Sequence, residues 1–247
     1  MASWSRKEAL MTMTSPLGPD ELVPIGLSGR EAINEPFRFQ VDAICQLGDI
    51  DANKLLNHAV CVTLQSEGEA VRYFHGIVQS VTKGDTIRGQ AQTNAHTVYH
   101  LVLVPKLWFL SQTTDCRVYE AKSAADILKA MFQDAGLTDF SGPPSAPSRD
   151  YTVQFNETDL HFATRLMEEE GWFYYFKHEA NKHTLVIANE NEGFQQIEHG
   201  TLYIGGSSGV GHLDGGTWRL FDASNALISE ECNTFGLLVR PSNEVLV

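Results

Sequence analysis

The sequence predicts a mainly β fold with an α+β insertion, in which an antiparallel barrel-like sheet is joined to two short amphipathic helices. Three observations carry this. Between Leu22 and Leu110 the apolar residues fall into short runs divided by turn-forming clusters. Near Ser123 and again near Glu157 the apolar period changes from two to 3.6, with capping signals at both ends. The second helical segment runs directly into Trp172–Phe176, an aromatic strand that the rest of the chain must cover.

Residues 1–20 carry little hydrophobic pattern and read as an N-terminal arm. Strand-like runs follow at Leu22–Leu27, Phe37–Leu47, Ala59–Gln65, Val71–Lys83 and Thr97–Leu110, separated by turn material such as Ser66-Glu67-Gly68 and Lys83-Gly84-Asp85. Within Val71–Ser80 neither parity is purely polar, because Val71, Tyr73 and Ile77 share one side while Phe74 and Val78 share the other. Such mixed faces suit a closed or packed antiparallel sheet, so residues 21–110 read as a first barrel-like domain. The apolar end of the last run, Leu107-Trp108-Phe109-Leu110, is too large to leave in water and marks a seam between subdomains.

Residues 111–190 read as an α+β subdomain. Ser123 with Asp126 opens a helix over about 123–135, with a stripe of Ala124, Ile127, Leu128, Met131, Phe132 and Ala135, and Gly136 closes it. Phe140–Asp150, with Pro143, Pro144 and Pro147, is an extended loop. Tyr151, Val153 and Phe155 then alternate with Thr152 and Gln154, which predicts a half-buried strand. Asn156, with Asp159 in the first turn, reads as the cap of a second helix over about 157–170. Leu160, Phe162, Ala163, Leu166 and Met167 line one side of it, and Gly171 ends it. The polar run Lys177–Lys182 turns the aromatic strand back into His183–Ala188 as a hairpin. Residues 191–247 form a Gly-rich, divergent C-terminal segment with strand-like pieces at Trp218–Phe221, Ala226–Ser229 and Leu237–Val239.

Composition narrows the function classes. At 43% hydrophobic and 20% charged, the 247 residues are globular rather than disordered. With 31 acidic against 18 basic residues the net charge of -13 opposes nucleic acid and anionic membranes, both of which reward clustered Lys and Arg. The cysteines, Cys45, Cys61, Cys116 and Cys232, form no C-x-x-C and read as buried free thiols in a reduced compartment. No apolar run reaches the ~18 residues of a membrane span, and Met1–Glu21 lacks a signal core. The expectation is a protein made in the cytoplasm, or exported by a route that reads no N-terminal signal.

The chemistry-bearing motifs do not assemble a site. His178-Glu179 with His183 imitates a zinc helix, but the histidines are five apart and flank a predicted turn, where they read as solvated. His75 reads as a hydrogen-bonded or edge strand histidine. Gly206 and Gly211 have the offset of a phosphate loop, yet His212 replaces the lysine and no capped helix follows. Glu168-Glu169-Glu170 point around the helix instead of converging and read as a solvated face, unfavourable at a helix C-terminus unless cations or a partner offset them. Gly205–Gly209 is no nucleophile elbow, and the Asn156-Glu157-Thr158 sequon coincides with the helix cap. No catalytic, cofactor-binding or metal residue, and no cofactor, is expected.

Six ordered blocks do carry a resemblance: Asn34–Phe37 (NEPF), Phe74–Val78 (FHGIV), Val104–Leu110 (VPKLWFL), Asp115–Tyr119 (DCRVY), Glu157–Phe176 and Lys182–Ala188 (KHTLVIA). Over about residues 20–190 the chain resembles the N-terminal hub region of VgrG proteins, the type VI secretion spike, itself similar to the hub of contractile bacteriophage tails. The resemblance implies antiparallel β-barrel hub domains, a homotrimer, and docking on the Hcp tube without catalysis. It further implies that baseplate and effector proteins are partners and that the machine itself exports the chain. No needle role is expected of these residues, which reach Val247 without a valine-glycine repeat. The alternatives are a phage or prophage tail hub, or a hub carrying a small effector or hydrolase module in residues 191–247.

Overall fold

The computed structural model describes residues 9–18, 21–45, 49–66, 69–88 and 95–190, and the backbone of short strands beyond residue 200. The chain divides into two compact units, Met1–Asn189 and Glu190–Val247. Among the described residues no helix is long and apolar enough to cross a membrane.

In the first unit, β1 (Met11–Thr14), β2 (Val23–Ala32), β3 (Glu35–Cys45), β4 (Ala59–Ser66), β5 (Glu69–Arg88) and β6 (Ala95–Val104) form an antiparallel sheet in the order β1-β4-β5-β6-β3-β2. The sheet curls so far that its edges, β1 and β2, touch without forming a ladder. Met11–Thr14, from the stretch with little hydrophobic pattern, thus pairs with Leu64–Cys61. Strict alternation in β3 buries Phe37, Phe39, Val41, Ala43 and Cys45, which meet Leu101, Leu103 and Tyr99 of β6 on the concave side. Lys83-Gly84-Asp85 is a bulge rather than a turn: β5 continues through it to Arg88 with a shifted register. A Cβ on Gly84 would stand 2.8 Å from His100 Nε2, the outer end of a half-exposed side chain, so a larger residue there would displace that imidazole.

The strand predicted to reach Leu110 stops at Val104. Pro105 offers no N–H to the ladder, and a 3-10 helix, Lys106–Gln112, begins instead. Residues three apart share a face of such a helix, so Leu107 and Leu110 are buried while Trp108 and Phe109 remain partly exposed. This helix packs against Asp159–Glu169 and Ser148–Thr158, further along the chain.

Next come β7 (Thr114–Ser123), α1 (Ala124–Asp134), β8 (Phe140–Ser141), β9 (Ser148–Thr158), α2 (Asp159–Glu169), β10 (Phe173–His178) and β11 (His183–Ala188). β7 and β9 make a two-stranded antiparallel ribbon, and β10-β11-β8 a small sheet in which β8, from the predicted loop, joins in parallel. Ser123 caps α1 as the sequence predicts, accepting from Asp126 N at 3.1 Å, although Ala135 of the predicted stripe is exposed. The cap of α2 is Thr158, not Asn156; its hydroxyl accepts from His161 N at 3.1 Å. Asn156 sits at φ 47° as the extra residue of a bulge, a left-handed position that asparagine tolerates as readily as it caps helices. Both helices end alike. Leu137 N reaches Phe132 O at 2.8 Å over Gly136 (φ +68°), and Trp172 N reaches Met167 O at 2.8 Å over Gly171 (φ +69°).

In the second unit, β12 (Thr201–Leu202), β13 (Val210–Asp214), β14 (Thr217–Phe221) and β15 (Leu227–Glu231) form an antiparallel sheet, and β16 (Leu238–Val239) pairs with β17 (Val245–Leu246). Part of the Gly-rich stretch is therefore strand. Residues 203–209, the core of the phosphate-loop reading, lie outside the described residues, as does Cys232.

Candidate functional site

Two features of the first unit stand out, and the ribbon is the first. In β7–β9 the pairs Cys116↔Phe155, Val118↔Val153 and Glu120↔Tyr151 face the same way, and that way is outward. Phe155 is 77% exposed, Tyr151 60% and Val118 56%. The opposite parity, Thr152 and Gln154, is buried. The predicted half-buried strand therefore has its sides reversed, apolar out and polar in. The inner side does not face a purely apolar partner, for α2 packs against the 3-10 helix, β9 and α1 together. The ribbon meets Phe162, stacked on Tyr119 at 5.7 Å, and Arg165, whose guanidinium donates to Val153 O at 2.9 Å and pairs with Glu157 at 2.6 Å. Gln154 donates to the buried Asp159 carboxylate at 2.7 Å.

Arg149, entering β9, bridges Glu169 and Glu170 at 2.5 Å each, and Arg165 takes Glu169 at 2.8 Å. These arginines, from within the chain, supply the cations that the carboxylate run needs at the helix C-terminus. Glu168 alone fits the solvated reading without an ion pair among the described residues; Glu170 is partly buried. Cys45 and Cys61 are buried thiols, whereas Cys116 is exposed on the ribbon, against the expectation for that residue.

The second feature is the seam between the sheet and the hairpin β10–β11. Asn34, at φ 62° in the β2–β3 turn, donates its N–H to Tyr174 O at 2.9 Å and accepts from Tyr174 N on its Oδ1 at 2.8 Å. Phe37 stacks on Phe39 at 4.8 Å and takes the edge of Phe176 at 5.0 Å. Tyr174 is buried with no partner for its hydroxyl, and burial pushes that group's pKa upward.

His75, His178 and His183 meet at this seam. His178 and His183 are cross-strand partners flanking the predicted turn, but they are buried, not solvated; the His178 side chain is 6% exposed. β6 ends opposite Ile77, so the backbone of His75 has no strand neighbour there. The His178 ring takes that place, its Nδ1 lying 3.2 Å from His75 N and 3.1 Å from His75 O. His75 Nδ1 and His183 Nδ1 are 2.9 Å apart, and His183 Nε2 accepts from Lys106 N at 3.0 Å. His178 Nε2 stands 3.3 Å from Glu31 Oε1 without an in-line hydrogen bond, and Arg72 holds the same carboxylate at 2.9 Å. Burial acts to raise the Glu31 pKa, yet His178 and Arg72 outweigh it and leave it lowered. Desolvation, reinforced by the neighbouring imidazoles, lowers His75 to about 4 and His183 to about 3. Among the described residues no three His, Cys, Asp or Glu side chains are placed to hold a metal ion.

The family described as "Phage tail baseplate hub (GPD)" matches residues 30–215, three quarters of the chain. The chain belongs to the phage tail baseplate hub family. Among curated relatives, this hub chain is 34% identical over 187 residues to type VI secretion system spike protein VgrG1b of Pseudomonas aeruginosa, covering 75% of the chain and 24% of the relative. To spike protein VgrG3 of Vibrio cholerae it is 33% identical over 187 residues, covering 71% and 18%. The chain thus spans about a quarter or less of the curated relatives it matches. Among solved structures, the fold matches an E. coli protein described as a component of the type VI secretion system with structural similarity to T4 tail proteins gp27 and gp5. That match has a TM-score of 0.65 at 18% identity, covering 75% of this chain and 51% of the other. The mainly β, curled antiparallel architecture is that of the hub fold.

The resemblance to VgrG read from six blocks therefore holds, and the structure explains three of them: NEPF supplies Asn34 and Phe37 to the seam, FHGIV supplies His75, and KHTLVIA supplies His183. Reading the sequence alone missed the histidine cluster. Its one local signal is that His75 and His183 each border an apolar run, which a solvated turn residue has no need to do.

Proposed function

We propose that the chain is the structural hub of a contractile injection machine, a type VI secretion spike base that trimerises and docks on the Hcp tube. It works by packing, with no catalysis of its own. Residues 21–110 supply the barrel and residues 111–190 the piece that carries the ribbon. The observation that bears most weight is the outward apolar face of Val118, Tyr151 and Phe155. A large aromatic left three quarters exposed beside two apolar neighbours is what a subunit interface needs before assembly. In a threefold hub this face meets a different surface of the next copy, so the contact is heterologous and closes into a ring. Baseplate and effector proteins are the further partners, and the chain is made in the cytoplasm and exported by the machine.

Light scattering on the purified chain over a range of concentrations, with and without Hcp, tests this. The expected mass rises toward three times the 27.4 kDa of one copy, and Phe155→Glu combined with Val118→Glu holds it at one copy without unfolding it. A chain that stays monomeric at every concentration and is not retained by Hcp would remove the support for this reading.

A further inference from the structure

We propose that His75, His178 and His183 form an acid-sensitive latch, which at neutral pH fastens hairpin β10–β11 to β5 and to the start of the 3-10 helix and on acidification lets it go. The geometry specifies the neutral state atom by atom. Because His183 Nε2 accepts from Lys106 N–H, the His183 proton is on Nδ1, and it is donated to His75 Nδ1. A proton added to His75 Nδ1 sets N–H against N–H at 2.9 Å. One added to His183 Nε2 sets N–H against the Lys106 N–H. Either way a hydrogen bond between the hairpin and its neighbours is lost, and a charge appears in a buried place, on His183 against Phe37 and Phe176 or on His75 against the His183 ring.

The charged groups around the cluster offer little relief. From β2, Glu31 lies beside His178 and is already held by Arg72 of β5. Lys106, at the start of the 3-10 helix, adds a positive charge and is paired with Asp139 at 3.5 Å, ahead of β8. From β3 come only Phe37 and Phe39, and from β4 the Cys61 thiol, whose Sγ contacts Glu179 O. At the hairpin turn Lys182 and Glu179 face each other. None of these carboxylates hydrogen-bonds either ring of the His75–His183 pair. Burial accordingly holds these two histidines at about 4 and about 3, below their ordinary 6.5. Folded values that are depressed mean that closure is fully favoured above pH 6.5 and weakens as pH falls from there toward 4 and 3. The hairpin then keeps the Asn34–Tyr174 bonds, the His178 contact with the His75 backbone, the pairing with β8 and the aromatic contacts, with the His75–His183–Lys106 chain of hydrogen bonds removed.

Amide hydrogen exchange at pH 7.5 and 4.5, corrected for the intrinsic rate, tests the latch alongside NMR titration of the histidine ring protons. The expected result is that amides of β10, β11 and Lys106 lose protection by about tenfold or more relative to those of α1, reversibly, with the midpoint of proton uptake by His75 and His183. In His75→Gln/His183→Gln the selective loss disappears. The latch is refuted if hairpin protection does not change, if all of the first unit loosens together, or if the histidines gain protons while the hairpin stays closed. Loosening of the double variant in acid to the wild-type extent refutes it too. Should that variant fail to fold at pH 7.5, the coincidence of the two wild-type midpoints decides the matter.

Discussion

Asn34 and Tyr174 hold each other's backbone across 140 residues of sequence, with one bond from a main-chain N–H and one to a side-chain oxygen. The β2–β3 turn is thereby fixed to the aromatic strand, and the barrel to the piece that carries the ribbon. Asn34 serves twice, because it also tolerates φ 62°. Asn34→Ala loses the side-chain acceptor and strains the turn, so chemical denaturation should show a loss of about 1–3 kcal/mol. Asn34→Gly relieves the strain while losing the same acceptor, and should cost less than alanine.

The reversed ribbon separates two phenylalanines only seven residues apart. Phe155 is exposed, and Phe155→Ser should leave the stability of the single chain within about 0.5 kcal/mol. Phe162 is fully buried under Tyr119, and Phe162→Ala should cost about 3–5 kcal/mol. If the strand faced inward as its sequence suggests, both would be costly.

The helices were legible because their signals are local. Ser123 with Asp126 fixed one start, and Gly136 and Gly171 fixed both ends. Asn156 misled by two residues because a cap and a left-handed bulge ask for the same side chain. The alternation of Tyr151, Val153 and Phe155 was visible, but not which side it faced, since that depends on what lies beneath the ribbon, where Asp159 takes up the Gln154 amide. The histidine cluster joins residues more than 100 positions apart, and no local pattern encodes such a meeting.

Gly171 stands at φ +69° with open space where a Cβ would go. Gly171→Ala should therefore lower stability by about 1 kcal/mol through backbone strain alone, with no change at the ribbon. Thermal unfolding would detect it, and a much larger loss would point to a contact at this position instead.

Arg149 ties the start of β9 to the end of α2 through Glu169 and Glu170. These groups are partly exposed, so Arg149→Ala should cost about 1 kcal/mol. Denaturation at low and at molar salt should show the wild-type advantage shrinking as the charges are screened.

Acid should weaken the first unit in two ranges. His75 and His183 have depressed values, so the stability that depends on their neutrality is lost as pH falls below 6.5. Glu31 is lowered from 4.5, and its contribution is present above that value and lost only as pH falls further. In denaturation curves from pH 7.5 to 3.5, His75→Gln/His183→Gln should flatten the first part of the decline and leave the second.

The face of Tyr151 and Phe155 can be probed in place. With the photo-reactive amino acid benzoylphenylalanine at Phe155, illumination of the full chain should yield covalent species of two and three copies, linked through the ribbon. If illumination yields only unlinked single copies at concentrations where light scattering reports assembly, the ribbon is not the subunit contact and the account of this hub is wrong at its centre.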